Sequence, residues 1–242
     1  MEHPHLPHPQ GADAAGQVPE AVRHPPWLLW AAAGLALAMA IVALVGWTID
    51  RGHVFGFDRS IMRAMRHAGN TALPIGPAWL EGLMIDITTL GGGTALTLVV
   101  VLTAGFLAVR RLWITAALVV AATALGSLAV DLAKLIVARP RPQVIDHLVE
   151  VSSMSFPSGH SANSAIVYLT IATLLAQVVD TRGARNFILV AAGLLVVAIG
   201  CSRVYLGVHW PTDVLAGWSF GTFWALGWWA LGAWIRIKRS TG

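Results

Sequence analysis

The sequence predicts an all-α integral-membrane fold: six transmembrane helices, with an extracytoplasmic interfacial helix between helices 1 and 2. Three observations carry that prediction. The chain of 242 residues is 56% hydrophobic and only 12% charged, against about 25% charged in an ordinary soluble domain. Its apolar residues fall in runs long enough to cross a hydrocarbon core of about 30 Å at ~1.5 Å per residue. Its charges gather in the breaks between those runs. The net charge of +4 is small, and the basic residues sit in short clusters rather than one patch, which argues against a nucleic-acid partner. The single cysteine, Cys201, rules out an intrachain disulfide and argues against a cysteine-based metal site. At the end of an apolar run it is expected to pack as a small hydrophobe.

Met1 to Pro26 is rich in His, Pro, Gly and Ala, has no apolar period, and is expected to be a disordered cytoplasmic tail. His3, His5 and His8 within it do not form a specific metal pattern, and no signal peptide stands out. Trp27 to Ile49 is span one, with Trp27, Trp30 and Trp47 near its ends as an aromatic belt requires. In the next segment, Phe57, Ile61, Ala64, Met65 and Ala68 recur at helical spacing, and Arg59, Arg63 and Arg66 recur on another face. That pattern predicts a helix lying in the interface with its arginines among headgroups, broken by Pro74, Gly76 and Pro77.

Span two runs from Ile87 to Val109, opening with Gly91-Gly92-Gly93 and closed by Arg110 and Arg111. Span three, Leu112 to Leu135, carries Asp131 and Lys134 near its end. Arg139-Pro140-Arg141-Pro142 stops it, because proline disfavours helical geometry in the preceding residue. Span four is Pro157 to Val179, followed by a short charged connection with Asp180, Arg182 and Arg185. Span five is Asn186 to Val204 and span six Pro211 to Ile235, so the membrane domain covers 27–235 and a basic cytoplasmic tail covers 236–242. The basic residues of the short loops and the C-terminus favour cytoplasmic termini.

Three polar clusters interrupt this apolar chain: Lys134 through Arg141-Pro142, Phe156 through His160, and Ser202-Arg203 through His209 to Asp213. Alternating topology puts all three on the face opposite the termini. Alone, each has an ordinary explanation: a basic helix stop, a helix cap, a Lys134–Asp131 pair one turn apart, a buried histidine. Together they carry complementary chemistry. Lys134, Arg141 and Arg203 can neutralise a phosphate dianion and the charge that builds up in phosphoryl transfer. Pro157-Ser158-Gly159 at a helix start offers backbone N–H groups and a hydroxyl. Two histidines allow one to attack phosphorus while the other protonates the departing oxygen. Pro211 predicts a helix starting near Trp210, with His209 at its N-terminus and Asp213 one turn in, able to hold the imidazole.

These motifs resemble the signature of the type 2 phosphatidic acid phosphatase (PAP2) family of membrane lipid phosphatases. Its three parts are Lys, six residues, Arg-Pro (Lys134, Arg141-Pro142); Pro-Ser-Gly-His (Pro157 to His160); and Ser-Arg, five residues, His, three residues, Asp (Ser202-Arg203, His209, Asp213). The resemblance covers roughly Trp27 to Ile235. It implies a metal-independent mechanism with no cofactor, in which His209 is the nucleophile forming a phosphohistidine, Asp213 supports it, and His160 is the general acid and then the base. Lys134, Arg141, Ser158, Gly159 and Arg203 would hold the phosphate. Soluble vanadate-dependent haloperoxidases share the signature, and the spans argue against that class. The expected partner is a membrane lipid phosphate such as undecaprenyl diphosphate, phosphatidylglycerol phosphate or phosphatidic acid, met at the extracytoplasmic face of a bacterial inner membrane. A phosphotransferase to an acceptor other than water and a non-enzymatic lipid-phosphate binder or transporter remain alternatives. Gly217 and Gly221 have the spacing of close helix contacts, which does not by itself predict a dimer.

Overall fold

The computed structural model describes residue 40, residues 42–49 and residues 55–240, with the side chains of 239 and 240 left out. The expected N-terminal tail and most of span one lie outside the described residues; the part of span one that is described, 42–49, is helical. Helix α1 (Gly56–Ala64) leads into a two-stranded antiparallel hairpin, β1 (Arg66–His67) and β2 (Asn70–Pro74). Helices α2 (Ala78–Thr89), α3 (Gly93–Val109) and α4 (Trp113–Val137) follow. After a long loop, α5 (Gly159–Ser164) passes through a π-helical turn (Ala165–Leu169) into α6 (Thr170–Leu175), then come α7 (Arg182–Tyr205) and α8 (Pro211–Ser240).

The apolar runs form the helices, and the turn residues set their ends. α4 and α7 are each long and apolar enough to cross a membrane, and α2 with α3 forms a third such element bent by 49°. The bend is a correction to the expected span two: Ile87 to Thr89 belong to α2, and the chain turns at 90–92 before α3 starts. Gly91 permits that turn to lie close against the bundle, since a Cβ there would stand 2.5 Å from Ile199 Cγ2. α4 stops at Ala138, whose φ of 45° is left-handed, directly before Arg139-Pro140. Thr181 caps α7 by accepting from the Ala184 N–H, so Arg182 and Arg185 sit in its first turn rather than in a connection. α8 continues past Ile235, and Arg236 and Lys238 lie on the helix.

The expected interfacial helix is shorter than its pattern. It ends at Ala64, and the chain turns back through Gly69, whose φ of 80° suits a glycine. Phe57, Ile61, Arg59 and Arg63 face outward, while Asp58 and Met62 are fully buried. Arg66 departs from the outward stripe altogether. Its guanidinium is buried and donates to the carbonyls of Thr71, Met65, Tyr205 and Asp146 at 2.9–3.1 Å, tying the hairpin to the end of α7. Cys201 is exposed on the outer face of α7 and does not pack as expected.

α8 packs along α5, the π-turn and α6, through small residues. A Cβ at Gly217 would meet the Ser158 carbonyl at 2.9 Å, and one at Gly221 would meet Ala165 Cβ at 2.5 Å. The small-residue spacing is therefore spent on contact within the chain. The outer faces of the helices carry Val109, Phe106, Leu135, Ile136 and Phe187, all exposed, as suits a protein solvated by lipid.

Candidate active site

The three polar clusters meet at one end of the bundle, around a cleft of about 210 Å³. Its lining includes Lys134, Arg141, Arg203, His160 and His209, with Gly91, Gly93, Val151, Ser152, Ser153, Gly159 and Asn163 completing the wall. No carboxylate is among these lining residues.

Each cation is aimed by its neighbours. Lys134, in the last turn of α4, lies over the start of α5, where the absence of a side chain at Gly159 leaves it room; a Cβ there would stand 3.3 Å from Lys134 Cε. Its ammonium donates to the Met154 carbonyl at 2.8 Å. Arg141 donates through Nε to the Ser153 carbonyl (2.7 Å) and through Nη1 to the Val208 carbonyl (2.6 Å). Arg203, in the last turn of α7, is buried, and its Nη1 donates to Thr88 Oγ1 at 2.8 Å. Its Nε is buried with no hydrogen-bond partner among the described residues. A buried unpaired guanidinium donor is costly, and an anion in the cleft would relieve that cost.

His209 lies in the turn before α8 and is buried. Arg141 Nη1 stands 3.2 Å from its Nε2. A guanidinium can only donate, so this contact suits a lone pair on Nε2 and a proton on Nδ1. On the other side of the ring, Nδ1 is 3.6 Å from Asp213 Oδ2 and 3.4 Å from Ser155 Oγ. Ser155 in turn donates to Asp213 Oδ2 at 2.5 Å. Burial pushes the imidazole down to about 4, although Asp213 pulls the other way. The Arg141 contact and the downward shift both favour a neutral imidazole whose unprotonated Nε2 faces Arg141.

Asp213 is fixed by local structure. Pro211 opens α8 as the sequence predicts, and Asp213 in its first turn accepts from the Trp210 backbone N–H at 3.0 Å, the returning half of a capping box. Its other oxygen accepts from Arg139 Nη1 at 2.5 Å. Ser158 is placed differently from the other expected phosphate ligands. It is fully buried behind the cleft, its N–H donates to the Asp213 carbonyl, and its hydroxyl accepts from Ser161.

Sequence reasoning missed three residues here. Arg139 was read as part of a helix stop, yet it bridges Asp213 and Asp58, with Nη2 3.1 Å from Asp58 Oδ2. Its position two residues before Arg141 in a repeated Arg-Pro was the available signal. Ser155 and Asp58 had no comparable signal.

The sequence profile of the PAP2 superfamily matches residues 113–237. The chain belongs to the PAP2 superfamily. It is 37% identical over 164 residues to the phosphatidylglycerophosphatase B of Bacillus subtilis, covering 67% of this chain and 80% of that one. It is 32% identical over 152 residues to an undecaprenyl-diphosphatase of Sulfolobus acidocaldarius, covering 60% and 68%. The crystal structure of a transmembrane PAP2-type phosphatidylglycerolphosphate phosphatase from Bacillus subtilis superposes with a TM-score of 0.69 at 32% identity, over 84% of this chain and 96% of that one. This PAP2 protein is an integral-membrane phosphatase.

Proposed function

We propose that this PAP2 phosphatase hydrolyses a terminal phosphate from a lipid phosphate or diphosphate through a phosphohistidine on His209. The observation that carries this reading is the cleft itself: three cations and two histidines around one space lined by no carboxylate. Lys134, Arg141 and Arg203 bind the nonbridging oxygens, and their charge holds the equatorial oxygens of the transition state. Nε2 of His209 attacks phosphorus in line. The phosphorus–oxygen bond to the lipid breaks, and the departing oxygen takes a proton from His160. Asp213, directly and through Ser155, favours the positive charge that the phosphorylated imidazole carries. His160, now a base, takes a proton from water as water attacks phosphorus, and His209 leaves. No step uses a metal.

The substrate reading rests on the relatives, which act on phosphatidylglycerophosphate and undecaprenyl diphosphate by name. It also fits the cleft's place at one end of a lipid-solvated bundle. We assign the chain six spans, with the described segment 42–49 as the end of the first, α1 at the extracytoplasmic surface, and the cleft facing the periplasm of an inner membrane. Transfer to an acceptor other than water shares the first half-reaction and differs only in what enters after the lipid leaves.

The test is a rapid quench of the purified protein with substrate carrying a radiolabelled terminal phosphate. The expected result is a base-stable, acid-labile label on the peptide holding His209. Label on another residue, or turnover at full rate with no labelled protein, contradicts the assignment.

A further inference from the structure

Asp58 sits on α1, fully buried, and is bound from three directions. Thr212 donates to it twice, from its N–H to Oδ1 at 2.9 Å and from its hydroxyl to Oδ2 at 2.7 Å. Arg139 Nη2 reaches Oδ2 at 3.1 Å, while Nη1 of the same guanidinium holds Asp213 Oδ1 at 2.5 Å and Thr212 Oγ1 at 2.7 Å. The Arg139 guanidinium also lies over the Trp210 ring, 5.2 Å from its centre. One buried cation is thus shared by two buried carboxylates, one of which faces His209. With Asp213 alone, the Arg139 charge would cancel the negative charge that the histidine needs. With Asp58 present, the Asp58–Arg139–Asp213 group carries one net negative charge. That charge balances the positive charge arising on the imidazole when the bond from Nε2 to phosphorus forms and the lipid oxygen leaves with its electron pair and a proton from His160.

We propose that Asp58 is a positioning residue of the phosphatase reaction, the counter-charge to Arg139 that keeps the charge of Asp213 available to His209. It never touches substrate, and it acts from a helix outside the three signature motifs. The burial of the whole group makes the charge count matter, because charges in a low-dielectric site are poorly screened. The inference rests on the reading of His209 as nucleophile.

The experiment is a single-turnover measurement of phosphohistidine formation on wild type, Asp58→Asn, Asp213→Asn and the pair Asp58→Asn/Arg139→Gln, each normalised to folded protein. The expected result for Asp58→Asn is transfer slowed by about 10- to 100-fold. The inhibition constant of inorganic phosphate stays at its wild-type value, because the cations of the cleft are untouched. A purely structural role would instead weaken phosphate binding and transfer together. Where Asp58→Asn does not fold, the pair carries the test: with Asp213 as its only charge, it transfers phosphate at least about tenfold faster than Asp213→Asn. Wild-type transfer in Asp58→Asn, phosphate affinity falling in step with rate, or a pair no faster than Asp213→Asn overturns the proposal. Absence of phosphohistidine in the wild type would instead sink the nucleophile assignment.

Discussion

At the scale of single residues, the cleft is a set of donors held open by neighbours that are not themselves charged. Thr88 shows this most simply: its hydroxyl accepts from Arg203 and so fixes a guanidinium whose Nε has no partner among the described residues. Thr88→Val should raise the KM by about fivefold with little change in kcat, the scale of one hydrogen bond; steady-state kinetics would show it, and an unchanged KM would mean that Arg203 is aimed by packing alone. The burial of His209 makes a second prediction. A histidine pushed down to about 4 is neutral above that pH, so the proposed nucleophile should lose activity only as pH falls through about 4, not through the 6.5 of a free imidazole. Once substrate ionisation is subtracted, the acid limb of kcat/KM should lie near 4. A limb at 6.5 carried by His209 would contradict the burial argument.

At the scale of elements, the cleft depends on how closely α8 approaches α5 and on how the hairpin is tied down. Gly221 faces the start of the π-turn so tightly that a Cβ would stand 2.7 Å from the Ala162 carbonyl. Gly221→Val should therefore cost about 1–3 kcal/mol, while Gly105→Ala, with nothing within 4 Å of its Cβ, should be tolerated. Thermal unfolding in detergent would separate them, and equal midpoints would mean that the contact relaxes freely. Arg66 belongs at this scale too, since one buried guanidinium joins β1, β2, the loop at Asp146 and the end of α7. The helical spacing of Arg59, Arg63 and Arg66 made all three look alike in sequence. Only tertiary structure distinguishes an outward-facing arginine from one that satisfies four carbonyls.

At the scale of the whole molecule, the chain brings together three motifs spread over residues 134–213. Those motifs were legible because they hold particular charged and polar residue types at fixed spacings between apolar runs. α4, α7 and the start of α8 were legible for the same reason: periodicity, proline and capping act locally. The Asp58–Arg139–Asp213 group was not legible. Its members lie 81 and 74 residues apart, and isolated buried ion pairs leave no periodic trace. The bend at 90–92 was also hidden, because three glycines permit a turn without specifying one. The proposed orientation is open to test with a cysteine at an exposed position between or at the ends of the long helices, in a Cys201→Ser background. Glu150→Cys should react with an impermeant thiol reagent added outside intact cells, and Gly183→Cys should not; the reverse pattern would invert the topology.

The most direct test of the central claim is phosphate release from a lipid phosphate or diphosphate by detergent-purified protein in EDTA, compared between wild type and His209→Ala. Release by the wild type that persists in EDTA and is lost in the folded His209→Ala variant is the predicted result. Release by His209→Ala at the wild-type rate would contradict it.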